Sequence, residues 1–245
     1  MGRSGAIFTY SIGHRMTAPA GAQAATVNQD RRDIAWCAGL LLALLAWDLS
    51  GWDLPIVRTL AGPTGFLLRD HWVMNFVMHQ GGRALGWLTL AALVAQLWRP
   101  LPFARQLTLA ERRWWLATCL LCLLVIQLFK HASLTSCPWS LAEFGGTARY
   151  VSHWHVGTVD GGDGGCFPSG HASAAFAFLS GYFALRGKHP VAARRWLWTV
   201  VTLGLILGAG QTLRGAHYPS HTLWTAWICL AVTVASHRGW RRWHG

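Results

Sequence analysis

The chain has 245 residues, 53% hydrophobic and only 12% charged, with 16 tryptophans. A soluble domain carries about a quarter charged residues, so a soluble globular fold is excluded. The formal charge of +12 sits in short basic clusters between apolar runs. That pattern sets membrane orientation and argues against a nucleic-acid partner.

Residues 1–30 lack an apolar core of the signal-peptide kind and read as a disordered cytoplasmic tail. The remainder, 31–245, reads as one all-α domain, a polytopic membrane helical bundle with runs near the ~20 residues a bilayer span requires. Six transmembrane helices are expected, at about 34–52, 84–98, 114–130, 170–186, 196–213 and 221–237. Between the first two, residues 54–83 are too polar to span and read as an interfacial helical segment, with Arg69, Asp70, His71, His79 and Arg83 on its wet side. Asp48 and Asp53 close the first span, where they either pair with an arginine or cap a turn.

Fifteen of the 21 Lys and Arg residues fall on one side of this arrangement. The positive-inside rule makes that side cytoplasmic, with both termini, and suggests a bacterial inner membrane with an outward-facing site. Segments 130–149, 164–173 and 213–221, which concentrate the polar residues, all fall on the other face. Polar groups are costly at span ends and tend to mark function there.

Three stretches carry chemistry. In "GGDGGCFPSGHASAAFAF" a Gly-rich turn leads into Pro168-Ser169-Gly170-His171 at a helix start. Free amides at a helix start suit a phosphate, and His171 is placed to protonate a leaving oxygen. Lys130 closes the third span, and "LRGAHYPSHTLW" holds Arg214, His217 and His221. Arg214 precedes His217 by three residues, which on a continuous helix puts both on one face. No Asp or Glu follows Asp163, so the carboxylate that usually supports a catalytic histidine is missing from this stretch.

These residues resemble the motifs of the type 2 phosphatidic acid phosphatase (PAP2) superfamily: K-x6-R-P, P-S-G-H and S-R-x5-H-x3-D. Lys130 and Pro138 match the ends of the first, Pro168 to His171 the whole second, and His217 the histidine of the third. The resemblance implies a metal-independent lipid phosphatase without cofactor. In it His217 attacks phosphorus to give a phosphohistidine, His171 protonates the leaving alcohol, and Lys130 with the Ser169 and Gly170 backbone clamps the phosphate. The substrate class it suggests is a lipid phosphate or pyrophosphate: phosphatidic acid, phosphatidylglycerol phosphate, undecaprenyl pyrophosphate or a lipid A phosphate.

The sequence departs from the family pattern at three positions. Cys137 stands for the first-motif Arg, Gln211 for the third-motif Arg and His221 for the Asp. Arg214 is the expected replacement for the second, and His221, or an outer-face acid among Asp70, Glu143, Asp160 and Asp163, the expected partner of His217. Cys137 and Cys166 each adjoin a motif on the outer face, whereas Cys37, Cys119, Cys122 and Cys229 lie in apolar spans. A Cys137–Cys166 disulfide is therefore expected, closing a loop worth up to ~3–4 kcal/mol.

Two other readings stand beside the phosphatase. The same site can pass phosphate to an acceptor lipid, or the outer histidines, with His153 and His155 two residues apart, can serve a non-enzymatic metal-binding or transport protein.

Overall fold

The computed structural model describes residues 20–244, all of them helix, turn or loop apart from two isolated bridges. Helix α1 (Ala20–Ser50) is followed by the short α2 (Asp53–Leu60). A π-helical segment, Val73–Gly81, runs directly into α3 (Gly82–Ala95). Then come α4 (Leu109–Ala132), a long loop, α5 (Ser173–Phe176) continuing through one tight turn into α6 (Ser180–Leu185), α7 (Pro190–Leu213) and α8 (Pro219–His244).

Three helices are long and apolar enough to cross a membrane: α1 over Val27–Ser50, α4 and α7; Ser173–Leu185 is a shorter apolar helix. Each of the six expected spans falls on helix, although α8 and the segment 73–95 do not meet that apolar length criterion. Helix α1 begins at Ala20, so residues 20–30 are helical where the sequence suggested tail; residues 1–19 lie outside the described part. The stretch "AGAQAATVNQD" has no apolar periodicity, but its alanines and glutamines favour helix intrinsically.

The helix ends follow local chemistry. Thr108 and Glu111 form a reciprocal capping box that starts α4. Pro190 occupies the first turn of α7, where its missing N–H has no cost. Helix α8 starts at Pro219 and is capped from elsewhere in the chain. Asp53 accepts from the Ser220 N–H at 3.0 Å and from the Ser220 hydroxyl, placing a carboxylate at the positive end of the helix dipole.

Helix α8 packs against α1, α4 and α7, and α7 packs against α5 and α6. Close approach depends on small residues, as in membrane bundles generally. A Cβ on Gly204 would lie 2.5 Å from the Phe176 ring, and one on Gly208 would lie 2.1 Å from Thr222. The core is aromatic, with Trp115 packed edge-on to Trp196 at 5.1 Å. Outward faces are apolar: Leu42, Leu49, Trp87, Leu124 and Trp198 are all more than half exposed, the inverse of a soluble surface.

Ion pairs pin one end of the bundle. Arg186 makes a bidentate pair with Asp33 at 2.6 and 2.8 Å, Arg241 reaches Asp30 at 2.9 Å, and Lys188 reaches Glu111 at 2.5 Å. The residues of the three motifs gather at the opposite end.

Candidate active site

Lys130 lies in the last turn of α4, and its ammonium donates to the Gly165 carbonyl at 2.5 Å. The aliphatic stem runs past Gly170, whose hypothetical Cβ would lie 3.6 Å from Lys130 Cδ. The first and second motifs thus meet through side chain and backbone. The turn Pro168–Ala172 comes before α5, and α5 and α6 are buried almost throughout.

His171 and His217 face one another with ring centroids 6.3 Å apart. His217 is 3% exposed and lies in the turn between α7 and α8. Helix α7 ends at Leu213, and Gly215, at φ +74°, turns the chain into a conformation that glycine adopts without steric cost. A Cβ there would also run into the Phe66 ring at 2.3 Å. Arg214 and His217 are therefore not on one helical face, which corrects the sequence expectation. Arg214 reaches the site from the end of α7 instead.

Three acceptors fix its guanidinium: Arg69 O at 3.0 Å, Asn75 Oδ1 at 2.5 Å and Gln211 Oε1 at 3.4 Å. The last contact places it against the side chain that occupies the third-motif arginine position. Trp139 lies beneath, 5.7 Å from the guanidinium carbon.

The phosphate clamp differs from expectation at Ser169. Its N–H donates to the His221 carbonyl at 3.2 Å and is not free. Its hydroxyl is buried without a partner, so Ser169 offers Oγ rather than the amide. The Gly170 N–H has no acceptor among the described residues.

Among the described residues, no carboxylate hydrogen-bonds to His217. The rings of His217 and His221 are 5.8 Å apart with no hydrogen bond between them, and His221 Nδ1 is 3.1 Å from the Cys166 carbonyl. Asp160 is committed to Ser136 and Gly162, and Glu143 pairs with Arg58. What faces His217 Nδ1, at 3.5 Å, is Cys166 Sγ. That sulfur is disulfide-bonded to Cys137, with the Cα atoms 5.1 Å apart. A disulfide sulfur has no proton to give, so in this contact only Nδ1 can be the donor. Oxidised sulfurs also leave no thiolate for a metal, although Cys137, Cys166 and His217 lie close enough together to suggest one.

The electrostatics are one-sided. Burial pushes His171 down to about 3, and His79, Lys130, Arg214 and Arg83 add to the effect. Burial also holds His217 well below the usual imidazole range, with His221, Lys130 and His171 reinforcing it. Both shifts favour neutral rings near pH 7. The pocket suits an anion.

Motif reasoning missed several neighbours. His79, on the π-helical segment, lies against His171 with centroids 4.3 Å apart. Asn75, on the same segment, holds Arg214. Their only sequence signal was a cluster of polar residues in a segment too polar to span. Of the two outer-loop histidines, His153 stacks on Phe167 at 4.4 Å with Nε2 3.3 Å from Asp48. Asp48 also accepts from the Trp154 and Trp224 indoles. His153 thus belongs to a packed polar cluster, while His155 is exposed.

No curated protein and no solved structure matches the chain. The family description "PAP2 superfamily" matches residues 112–244, which contain Lys130, His171 and His217. With more than half of its length matched, the protein belongs to the PAP2 superfamily.

Proposed function

We propose that the protein is an integral membrane phosphatase that hydrolyses a lipid phosphate or pyrophosphate through a phosphohistidine on His217. Membership in a superfamily of phosphatases supports phosphoric ester hydrolysis in general. The observation that carries the finer reading is the His171–His217 pair, 6.3 Å apart, with the cations Lys130, Arg214 and Arg83 acting on His171.

His217 Nε2 attacks phosphorus, and the bond to the leaving oxygen breaks as His171 donates a proton to it. Lys130, Arg214 and the Ser169 hydroxyl stabilise the equatorial oxygens. Water then attacks the phosphohistidine, with His171 accepting its proton. Phosphoryl transfer is mostly positioning plus charge stabilisation, which this set supplies without a metal. A bound phosphate dianion raises the pKa of His171, which then takes up a proton from solvent and passes it to the leaving oxygen.

The membrane frame fits a lipid headgroup. The helix over 173–185 rises only ~20 Å, against a hydrocarbon core of ~30 Å. In a six-span arrangement with cytoplasmic termini, the second-motif turn sits roughly 10 Å below the outer surface. There it meets a phosphate carried by a membrane lipid.

The test is phosphate release from purified protein in detergent and EDTA, over a panel of lipid phosphates. Wild type is expected to turn over, and His217→Ala to lose several orders of magnitude. A rapid quench should trap an acid-labile, alkali-stable phosphoprotein that His217→Ala lacks. Chelator-sensitive activity, or full activity in His217→Ala, would refute the mechanism.

A further inference from the structure

We infer that the Cys137–Cys166 disulfide masks a zinc site, and that its reduction lets both thiolates and His217 capture the metal and silence the nucleophile. The metal site stands on its own contacts; its effect on turnover rests on the phosphatase reading.

Cys137, Cys166 and His217 each place one ligand atom within 4.8 Å of the other two. Zinc bonds of ~2.3 Å to sulfur and ~2.0 Å to nitrogen, in tetrahedral geometry, set those two ligands ~3.5 Å apart. The Cys166 Sγ to His217 Nδ1 separation is 3.5 Å. Only the two sulfurs must part, to ~3.8 Å. With the Cα atoms 5.1 Å apart, side-chain rotation covers that distance. Soft thiolates combined with imidazole select zinc over hard cations.

The backbone around the three ligands does not depend on the disulfide. Trp139 N–H donates to Gly215 O at 2.9 Å, tying the segment after Cys137 to the turn that carries His217. Gly165 N–H donates to Ser133 O at 2.8 Å and Cys166 N–H to Thr135 O at 3.1 Å, tying Cys166 to the segment before Cys137. These bonds keep the ligands converged when the sulfurs part. The charges also match. Two thiolates, a neutral imidazole and Zn²⁺ sum to zero, which suits a place where Cys166 and His217 are buried. Among the described residues the other such group is Asp30, Asp33 and His237, but Arg186 and Arg241 already hold its carboxylates.

A dithiol reductant reaches Cys137, the half-buried partner, whereas Cys166 is fully buried. Its thiolate bonds to Cys137 Sγ, the S–S bond breaks, and the electron pair leaves on Cys166. The reductant's second thiolate then displaces Cys137, so the reductant becomes a disulfide as both protein sulfurs are reduced. Zn²⁺ takes the two thiolates and His217 Nδ1, any thiol protons are released, and water completes the tetrahedron. A neutral imidazole bound to metal through Nδ1 carries its proton on Nε2. That nitrogen then has no lone pair to offer phosphorus. Zinc blocks attack through the tautomer, without occupying the phosphate pocket. The disulfide keeps the nucleophile free of metal, and a chain not yet oxidised is held silent.

Purified protein is compared in the oxidised state and after reduction with a phosphine, with Co²⁺ and Zn²⁺ as probes. Reduced wild type should bind one equivalent of Co²⁺ with thiolate-to-cobalt charge-transfer absorption, which Zn²⁺ displaces; oxidised protein should show none. Zn²⁺ should raise the melting midpoint of the reduced form alone, since only that form binds it. The folded double variant Cys137→Ser/Cys166→Ser, which keeps the four other cysteines, should lose the absorption. One equivalent of Zn²⁺ should lower phosphate release by reduced wild type about 100-fold or more relative to the same protein in EDTA, the scale of a catalytic histidine held in the wrong tautomer. Oxidised protein should be indifferent to the metal. No charge-transfer band in reduced wild type, a band that survives in the double variant, or bound zinc with turnover unchanged overturns the inference and leaves the phosphatase reading standing. A normal band in protein that releases no phosphate in either state overturns the phosphatase reading and leaves the metal site standing.

Discussion

Replacing Cys137 and Cys166 together by serine tests whether a covalent link has taken over part of the site's positioning. The disulfide closes a sequence separation of 29 residues, all of it outside the α-helices. In the chain-entropy relation a loop of that size contributes ~3.6 kcal/mol at 25 °C. For a chain of this length that corresponds to a fall in midpoint of roughly 7–14 °C. Activity should suffer separately, because Cys166 Sγ is the group facing His217 Nδ1 at 3.5 Å. Hydrogen bonds from Gly165 N to Ser133 O and from Cys166 N to Thr135 O remain in the variant and keep the loop near its place. The expected loss is therefore one of His217 orientation, about 10- to 100-fold in kcat. Thermal melts followed by tryptophan fluorescence, with phosphate release at a temperature where both proteins are folded, measure the two effects apart. A midpoint within ~2 °C of wild type together with unchanged turnover would refute the reasoning. So would free thiols at both positions in protein purified without reductant.

Other substitutions probe the remaining contacts. Arg214→Lys should behave much as Arg214→Ala, with turnover down about 10- to 100-fold, because a lysine cannot satisfy Arg69 O, Asn75 and Gln211 together; substantial rescue by Lys would show that charge alone matters. Asp53→Ala uncaps α8 and strands the buried Ser220, at a cost of about 2 kcal/mol, and an unchanged melting midpoint would refute that cap. His221→Asn keeps a donor toward the Cys166 carbonyl, whereas His221→Asp sets a buried carboxylate against it. Asn should therefore retain more activity, and a more active Asp variant would show that the position acts as the family aspartate does. For His171, pushed down to about 3 by burial, a bound dianion raises the pKa, so binding takes up a proton and strengthens as pH falls. Inhibition by sulfate, which does not itself titrate between pH 5 and 8, should tighten toward pH 5 in wild type; an unchanged pH slope in His171→Asn would refute the coupling.

Apolar runs and motif order made most of the architecture legible. Each expected span lands on helix because lipid-facing and core-facing residues are both apolar, although only α1, α4 and α7 are long and apolar enough to cross a membrane. The motif residues could be placed at one end because each sits at the terminus of such a run. Contacts fixed by tertiary approach were not legible. Nothing local to Asp53 says that its carboxylate caps a helix starting at Pro219, and nothing local to Ser169 says that its N–H is taken by the His221 carbonyl. The turn after Leu213 illustrates the same limit. Helical periodicity carried Arg214 and His217 onto one face, but Gly215 ends that periodicity two residues too early.

The three departures from the family motifs make physical sense together. Gln211 is fully buried, and it now accepts from the guanidinium of Arg214 rather than supplying a guanidinium itself. The positive charge has moved three residues along the chain, and Asn75 and the Arg69 carbonyl, both from the segment before α3, hold it there. Cys137 has given up charge for a bond, and that bond sets Cys166 against His217. Relative to the family motifs, with an arginine gone from one side and a carboxylate gone from beside His217, the immediate surroundings lose one cation and one anion. His217 is left buried near His221 and Lys130, where burial first and these neighbours second favour its unprotonated form without an acidic partner. The segment between α1 and α3, which no motif covers, then becomes part of the site. It fixes the displaced arginine and brings His79 against His171, so the departures inside the motifs are compensated by residues outside them.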